Sequence, residues 1–313
     1  MSTAELLLAD PEDFPESTAS SPGIRDLTAD PTPRHGRAVL DVVYAHRSGR
    51  DLRLHVLLPP GAAGPGEPVG ATRYPCVLYV QGSAWHEQEL GLNIPALVEF
   101  TRRGYAVALV EYRPSELAPF PAQARDARAA VRYVRAHADE LQVDPDRLAM
   151  WGDSSGGHTT LMTYVTQDDP TWAEPGDEPN LGLRCFVDFY GPTDIARMND
   201  EPSNQDHRGA DSPEGMLIGG YDVLDHPELV APTVVMNHVA PASQRPLRPL
   251  LVVHGSKDRT VPYAQSVLLH DALTAAGHDV RTYRLAGADH GGPPFWQDEV
   301  LDLVDAFLKE NFA

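Results

Sequence analysis

The feature that most constrains the fold of this chain is a repeated alternation between two kinds of segment, which begins near residue 74. Short apolar runs, YPCVLYV and YAVALVEY among them, alternate with longer segments such as PAQARDARAAVRYVRAHADEL, in which apolar residues recur every three or four positions. The first pattern is typical of buried strands and the second of helices. Strands that alternate with helices form a mostly parallel sheet with helices on both faces. We therefore predict an α/β fold.

The chain of 313 residues is expected to form one large domain with an arm ahead of it. Residues 1–40 are acidic, rich in proline and serine, and without sustained periodicity, so they predict an N-terminal arm. Residues 41–313 are the predicted domain. At its start, VLDVVYAH and LRLHVLLPP flank the turn-forming RSGRD and predict an antiparallel pair of strands, followed by the loop GAAGPGEPVGATR.

One long stretch of the predicted domain lacks a clear sheet strand. Residues 192–245 carry helical patches, including SPEGMLIGGYDVLDHPELV, between two predicted strands. Insertions of this length often form a cap or lid over an active site. The alternative is a surface connection that never contacts substrate.

The charge of the chain restricts its partners. A formal net charge of −20, from 45 acidic and 25 basic residues, would repel phosphate backbones and anionic lipids. We therefore expect no nucleic-acid partner and no membrane partner. The N-terminus lacks the basic and apolar regions of a secretory signal, so a cytoplasmic location is expected. The sequence leaves the oligomeric state open, with a homodimer among the alternatives.

Gly152, Asp153, Ser154, Ser155 and Gly156 fit the motif G-x-S-x-G. The apolar run RLAMW precedes the motif and the helical HTTLMTYV follows it, which is the strand–turn–helix context of a nucleophile elbow. The two glycines let the chain turn sharply enough to hold a strained serine above the sheet. Ser155 is the rival nucleophile, but the spacing of the motif favours Ser154.

A serine hydroxyl needs a base within hydrogen-bond reach, and the base needs a carboxylate that orients it. In this fold the order along the chain is serine, acid, histidine. Asp258 follows the predicted strand PLLVVHGS, and His290 lies in the glycine-rich GADHGGP before the last helix, so they are the predicted acid and base. The rival acids are Asp194, Asp222 and Asp225, and the histidines interpreted as structural are His158, His254, His270 and His278.

Acyl transfer also needs N–H donors aimed at the developing oxyanion. The loop after PCVLYV reads QGSAW, residues 81–85. We expect the backbone N–H groups of Gly82, Ser83 and Ser155 to form the oxyanion hole, with the Ser83 hydroxyl as a further donor. An ordinary strand–helix turn is the alternative. Trp85 is a candidate wall of the substrate pocket, although large apolar side chains more often pack in the core.

Metal and cofactor motifs find little support in this chain. HEQEL does not complete H-E-x-x-H, there is no cysteine cluster, and neither a G-x-G-x-x-G nor a P-loop is present. We therefore expect a hydrolase that uses neither a metal nor a cofactor.

From about Asp41 to the C-terminus, the sequence resembles the α/β-hydrolase superfamily. More narrowly, it is similar to the bifunctional feruloyl and acetyl xylan esterase group. Ser154, Asp258 and His290 match the triad positions of that family, whereas QGSAW matches its HGGGW loop only at Gly82 and Trp85. The motifs that carry the resemblance are EYR with APFPAQ, DPDRLAMWGDSSGGH, VDFYGPTD, SPEGMLIGG, HGSKDRTVPYAQS and GADHGGPPFW.

The resemblance implies a serine carboxylesterase that hydrolyses short-chain acyl or hydroxycinnamoyl esters, feruloyl esters among them, through an acyl-enzyme. The expected partner is a small-molecule ester. Arylformamidases and hormone-sensitive-lipase-type esterases share much of the pattern and stay open as alternatives, with a peptidase behind them. A binding module that has lost its chemistry is the alternative outside enzymes, since fold alone does not imply function.

Overall fold

The computed structural model describes residues 13–30, 32–64 and 70–313. The parts of the predicted arm at residues 1–12 and 31, and residues 65–69 of the predicted loop GAAGPGEPVGATR, lie outside the described residues. Contacts between Cα atoms divide the chain into two units, Met1–Pro33 and Arg34–Ala313. The described residues of the first unit are exposed.

The described residues of the second unit form an eight-stranded sheet in the order β1-β2-β4-β3-β5-β6-β7-β8. The strands β1 and β2 pair antiparallel, β2 pairs antiparallel with β4, and the remaining neighbours are parallel. The mostly parallel α/β sheet predicted from the alternation is therefore confirmed. The strands are β1 (Arg37–Arg47), β2 (Arg50–Leu58), β3 (Tyr74–Val80), β4 (Ala106–Val110), β5 (Val143–Asp153), β6 (Leu183–Phe189), β7 (Leu250–Gly255) and β8 (Val280–Leu285).

The first strand begins slightly earlier than the predicted domain. Arg37 pairs with Leu58, and Val39 pairs with Val56, so β1 extends four residues into the segment that the sequence assigned to the arm. Backbone pairing with β2 sets this start.

Helices cover both faces of the sheet, because successive residues of each central strand point to opposite sides. In β3, Leu78 packs into a core shared with α2, α3 and α6, whereas Val77 packs into a second core shared with α1 and α7. The helices are α1 (Ile94–Thr101), α2 (Ala122–Ala136), α3 (Ser154–Thr166), α4 (Pro213–Leu217), α5 (Pro227–Val230), α6 (Ala264–Ala275) and α7 (Asp298–Phe312). Within the described part of the chain, none of them combines the length and apolar composition needed to cross a bilayer.

Residues 192–245 have an apolar core of their own. They contain α4, α5 and short 3-10 turns and contribute no strand to the sheet, as the sequence predicts. Leu217, Val223 and Val230 are buried around the indole of Trp85, which reaches them from the loop after β3. Whether this region acts as a cap stays a prediction.

A buried carboxyl group lies in the sheet beside the start of α3. Asp188 of β6 pairs with Gly152 of β5 and is completely buried. Its Oδ1 accepts the N–H of Gly191 at 3.1 Å, and its Oδ2 has no hydrogen-bond partner among the described residues. Burial raises the pKa of Asp188 to about 8. The group is therefore neutral in the fold at neutral pH.

This neutral carboxyl group makes stability depend on pH. In the unfolded chain an aspartate ionises near about pH 4, so the stability that Asp188 contributes is complete below that pH and is lost as pH rises toward the folded value of about 8. Asp188→Asn stays neutral throughout. Its free energy of unfolding, relative to wild type, should therefore increase between pH 5 and 8, by up to about 1.4 kcal/mol per pH unit.

Urea unfolding of wild type and Asp188→Asn at four pH values in that window measures the effect. Asp271→Asn is the matched control, because Asp271 is exposed in α6, and it should show no pH-dependent difference. A difference between Asp188→Asn and wild type that stays constant with pH would contradict the assignment of a neutral buried carboxyl.

Candidate active site

The sharp turn between β5 and α3 presents Ser154 at the carboxyl edge of the sheet. Ser154 has a left-handed φ of 53°, a strained conformation for a residue with a Cβ. The glycines permit the turn because neighbouring backbone approaches closely. A Cβ on Gly152 would lie 2.2 Å from the carbonyl oxygen of Gly156, and one on Gly156 would lie 2.0 Å from that of Val80.

The three residues predicted as nucleophile, base and acid lie together. The Ser154 Oγ is 2.9 Å from Nε2 of His290, and Nδ1 of His290 is 2.7 Å from Oδ2 of Asp258. Ser154 directly follows β5, Asp258 lies in the loop after β7, and His290 lies in the loop after β8. With the Nδ1–H donated to Asp258, the lone pair of Nε2 faces the Ser154 hydroxyl. This geometry allows proton transfer from the hydroxyl to the imidazole.

Asp258 is held by donors on both of its oxygens. Its Oδ1 accepts the N–H groups of Thr260 at 2.9 Å and Val261 at 2.8 Å. Its Oδ2 lies 2.7 Å from His290 and 3.2 Å from Nε2 of His254. Burial acts to raise the pKa of Asp258, but the hydrogen bonds from the two imidazoles outweigh burial and hold it well below its ordinary value. The carboxylate therefore stays ionised.

Sequence reasoning missed the contacts that two further residues make with Asp258 and His290. His254, interpreted as structural, contacts the carboxylate of Asp258, and its orientation is set by Ser266 Oγ at 2.7 Å and the carbonyl of Val261 at 2.9 Å. Asp289 accepts the backbone N–H of His290 at 2.9 Å and so orients that loop. Their positions in two motifs could have indicated these contacts. His254 lies four positions before the predicted acid in HGSKD, and Asp289 lies one position before the predicted base in GADHGG.

The rival residues have other partners. Asp194 and Asp222 accept N–H groups two residues further along the chain, and no hydrogen bond joins Asp194, Asp222 or Asp225 to His290 within the described residues. The remaining histidines that were interpreted as structural bond to groups away from Ser154. These bonds are His158 to the carbonyl of Thr233, His270 to the hydroxyl of Thr282, and His278 to the carbonyl of Ala240.

The loop at residues 81–85 departs from the expected oxyanion geometry. The N–H of Gly82 donates to Oδ1 of Asp153 at 3.0 Å, and the N–H of Ser83 donates to Oγ of Ser155 at 2.9 Å. The Ser83 hydroxyl donates to the carbonyl of His86 at 2.6 Å. The expected role of Gly82 as an oxyanion donor does not fit this geometry, because a buried carboxylate already takes its N–H. The Ser83 hydroxyl is likewise engaged.

Asp153, an unspecified position of the motif, anchors that loop. Besides the N–H of Gly82, its Oδ1 accepts the hydroxyl of Tyr79 at 2.8 Å, and its Oδ2 lies 3.5 Å from the hydroxyl of Tyr190. Burial raises the pKa of Asp153, although these donors oppose the shift. The anchored loop is so close to the nucleophile that a Cβ on Gly82 would lie 2.6 Å from Cβ of Ser154.

Two backbone N–H groups beside Ser154 remain available. Ser155 is in the first turn of α3, where N–H groups have no intrahelical acceptor. The N–H of Ala84 makes no hydrogen bond within the described residues. The hydroxyl of Ser155 is buried and bonded to the N–H of Ser83 and the hydroxyl of Tyr112, away from His290. Ser155 therefore has no base, and the geometry favours Ser154 as the nucleophile.

Two cavities meet at Ser154. The main cavity, about 670 Å³, is bordered by His290, the loop at 81–84 and Trp296. A side cavity of about 30 Å³ is bordered by Ser154, Ser155 and, from residues 192–245, Glu214. Trp85 lines the side cavity but is almost fully buried in the apolar cluster that it forms with side chains from residues 192–245, so its contact with substrate stays a prediction. No group of three or more metal-binding side chains comes together in the part of the chain that the structure describes.

Comparison with known proteins agrees with the fold. Esterase 2 of the planctomycete Thermogutta terrifontis is 24% identical, with a TM-score of 0.67, over 87% of this chain and 92% of that one. It has also been solved with propionate and with butyrate bound. A truncated carbohydrate esterase from gut microbiota is 26% identical, with a TM-score of 0.72, over 90% of this chain and 99% of that one. The predicted α/β-hydrolase fold is confirmed.

Sequence comparison also finds esterases. Esterase LipC of Mycobacterium tuberculosis is 27% identical over 221 residues, which are 69% of this chain and 53% of LipC. The chain spans about half the length of the curated relatives that it matches. The family model BD-FAE matches residues 67–273, a span that includes Ser154 and Asp258 and ends before His290. Because this match covers well over half of the sequence, the chain belongs to the BD-FAE family, the bifunctional feruloyl and acetyl xylan esterases of the α/β-hydrolase fold.

Proposed function

We propose that this protein hydrolyses carboxylic esters through an acyl-enzyme, with Ser154 as nucleophile, His290 as base and Asp258 as the supporting acid. The observation that carries the proposal is the continuous line of hydrogen bonds from Ser154 Oγ through His290 to Asp258, at 2.9 and 2.7 Å, on the wall of an open cavity. Membership of an esterase family supports the same reaction class.

In acylation, His290 removes the proton of the Ser154 hydroxyl as the oxygen attacks the ester carbonyl. The imidazolium then protonates the leaving alcohol, and the ester C–O bond breaks to leave the acyl group on Ser154. A water molecule enters, His290 removes its proton, and the acid is released with Ser154 restored. The ionised carboxylate of Asp258 fixes the tautomer of His290 and stabilises its protonated form.

The donors to the oxyanion are proposed to be the backbone N–H groups of Ser155 and Ala84, and not that of Gly82. Both residues border the side cavity beside Ser154, and neither N–H has a partner within the described residues. The N-terminus of α3 adds partial positive charge at the same point. Donors fixed in place before the reaction stabilise the tetrahedral intermediate without reorganisation.

The sizes of the two cavities favour esters with a short acyl chain. The leaving alcohol must receive a proton from His290, which borders the main cavity of about 670 Å³ and not the side cavity. The acyl group is then directed to the side cavity, whose 30 Å³ is only about two to three times the minimum that holds one water molecule. An acetyl group fits such a space, and a feruloyl group does not. We therefore propose acetyl esters, or esters of similar size, as substrates.

A formyl group also fits the side cavity, so an arylformamidase is the second candidate. The main cavity would hold the aromatic amine, with the indole of Trp296 on its wall. The two candidates differ in the bond that is cleaved, an ester or an amide. Rates with p-nitrophenyl acetate and N-formylkynurenine separate them, and methyl ferulate tests the feruloyl alternative.

Ser154→Ala removes the proposed nucleophile. We expect the hydrolysis of p-nitrophenyl acetate to fall by about 10⁴-fold or more, because the base then has no hydroxyl to activate. Ser243→Ala is the matched control, since Ser243 is exposed in a turn, and it should keep the wild-type rate. A rate in Ser154→Ala close to that of wild type would contradict the proposal. Folded wild type that cleaves none of the three substrates above would favour a binding module.

Asp258→Asn tests the supporting acid. The amide donates a hydrogen bond where the carboxylate accepts one, so it favours the wrong tautomer of His290, and we expect kcat for p-nitrophenyl acetate to fall by about 10³- to 10⁴-fold. The rival Asp194 provides the control, and Asp194→Asn should retain most of the activity. Circular dichroism and Tm check that both variants fold. Near-wild-type kcat in Asp258→Asn, or a comparable loss in Asp194→Asn, would reassign the acid.

A further inference from the structure

The side cavity beside Ser154 is also bordered by side chains from residues 192–245. Ser154, Ser155 and Ala84 border one part of it, and Trp85, His207 and Glu214 border another. Glu214 belongs to the motif SPEGMLIGG, which the triad chemistry does not use. Two of these bordering side chains carry a buried polar atom that has no hydrogen-bond partner in the described part of the chain.

The first of these atoms is a carboxylate oxygen of Glu214. The side chain is 3% exposed, and its Oε1 lies 2.8 Å from Nδ1 of His207. Its Oε2 has no partner among the described residues. A buried carboxylate oxygen without a donor costs substantial free energy, so this atom favours the presence of a donor beside it.

The partner of Glu214 is fixed by further contacts. Nε2 of His207 lies 3.0 Å from the carbonyl oxygen of Thr260 and 2.9 Å from the hydroxyl oxygen of Ser203. Burial acts to lower the pKa of His207, but the hydrogen bond and charge of Glu214 outweigh it and raise the pKa above its ordinary value. His207 and Glu214 therefore form a buried hydrogen-bonded pair, and Oε2 of Glu214 is left without a partner among the described residues.

The second atom is a donor. Trp85 is 1% exposed, and its indole Nε1–H has no acceptor among the described residues. Two residues that border the cavity therefore carry an unpaired donor and an unpaired acceptor, and a hydroxyl group can accept from one and donate to the other. The methyl group of an acetyl ester would leave both atoms unpaired.

We propose that the side cavity binds the acyl group and selects a two-carbon acyl group with a hydroxyl on its second carbon, as in esters of glycolic acid. The hydroxyl donates to Glu214 and accepts from the indole of Trp85. This inference rests on the proposed function, because it assigns the acyl group of an ester to this cavity. It adds a polar recognition step that the size of the cavity does not imply.

The test compares three esters of one alcohol: phenyl glycolate, phenyl propionate and phenyl acetate. Glycolate and propionate differ by a hydroxyl in place of a methyl of similar size, so their ratio isolates the hydrogen bonds. Each kcat/KM is divided by the rate of hydroxide-catalysed hydrolysis of the same ester. Wild type should prefer glycolate over propionate by about ten- to hundredfold, since a site built for a hydroxyl rejects the analogue that lacks it.

Two variants test the assigned residues. Glu214→Gln keeps the shape of the side chain but replaces the acceptor by a donor, and Trp85→Phe removes the indole N–H. Each should reduce the ratio of the corrected kcat/KM for glycolate to that for propionate about tenfold. Glu228→Gln is the matched control, because Glu228 is an exposed residue of α5 that does not border the cavity, and its ratio should equal that of wild type.

The outcomes separate this inference from the proposed function. Equal corrected rates for glycolate and propionate in wild type would overturn the inference and leave the esterase intact. An unchanged ratio in both Glu214→Gln and Trp85→Phe, with folding verified by Tm, would do the same. If folded wild type cleaves none of the three esters while Ser154→Ala behaves identically, the proposed function fails and this inference fails with it.

Discussion

The site depends on one close approach, between the end of β3 and the start of α3. The carbonyl of Val80 comes so near to Gly156 that a Cβ there would lie 2.0 Å away, and the chain reverses at Ser154 with a φ of 53°. Because the helix begins at this point, Ser154 and the free N–H of Ser155 face the same space. The strain at Ser154 is maintained by the packing of two buried strands and a helix around it.

Carboxyl groups at the carboxyl edge of the sheet are in different states for physical reasons. Asp258 stays ionised because two imidazoles and two backbone N–H groups donate to it. Asp188 has one weak donor and is neutral through burial. Burial raises the pKa of Asp153 while its donors oppose the shift, and the same donors hold the loop that faces Ser154. The same residue type is therefore proposed to support catalysis at Asp258, makes stability depend on pH at Asp188 and holds a loop at Asp153, according to the donors around it.

The sequence predicted the parts of this structure that follow from periodicity and chain order. The buried strands and the helices appeared in the apolar pattern, and Ser154, Asp258 and His290 followed from the motif and the ends of predicted strands. The donors of Gly82 and Ser83 could not be assigned in this way, because their acceptors are side chains more than 70 positions away. The hydrogen-bonded pair of His207 and Glu214 was missed for a related reason, since only the fold brings it beside Ser154.

The central claim is that Ser154 is the activated nucleophile, and covalent labelling tests it most directly. Diethyl p-nitrophenyl phosphate reacts with an activated serine to give a diethylphosphoryl ester and releases p-nitrophenolate. Peptide mapping by mass spectrometry after stoichiometric labelling should find the modification on Ser154, in the peptide that also contains Ser155. Fragment ions that place the label on Ser155, or the absence of label on folded protein, would contradict the account.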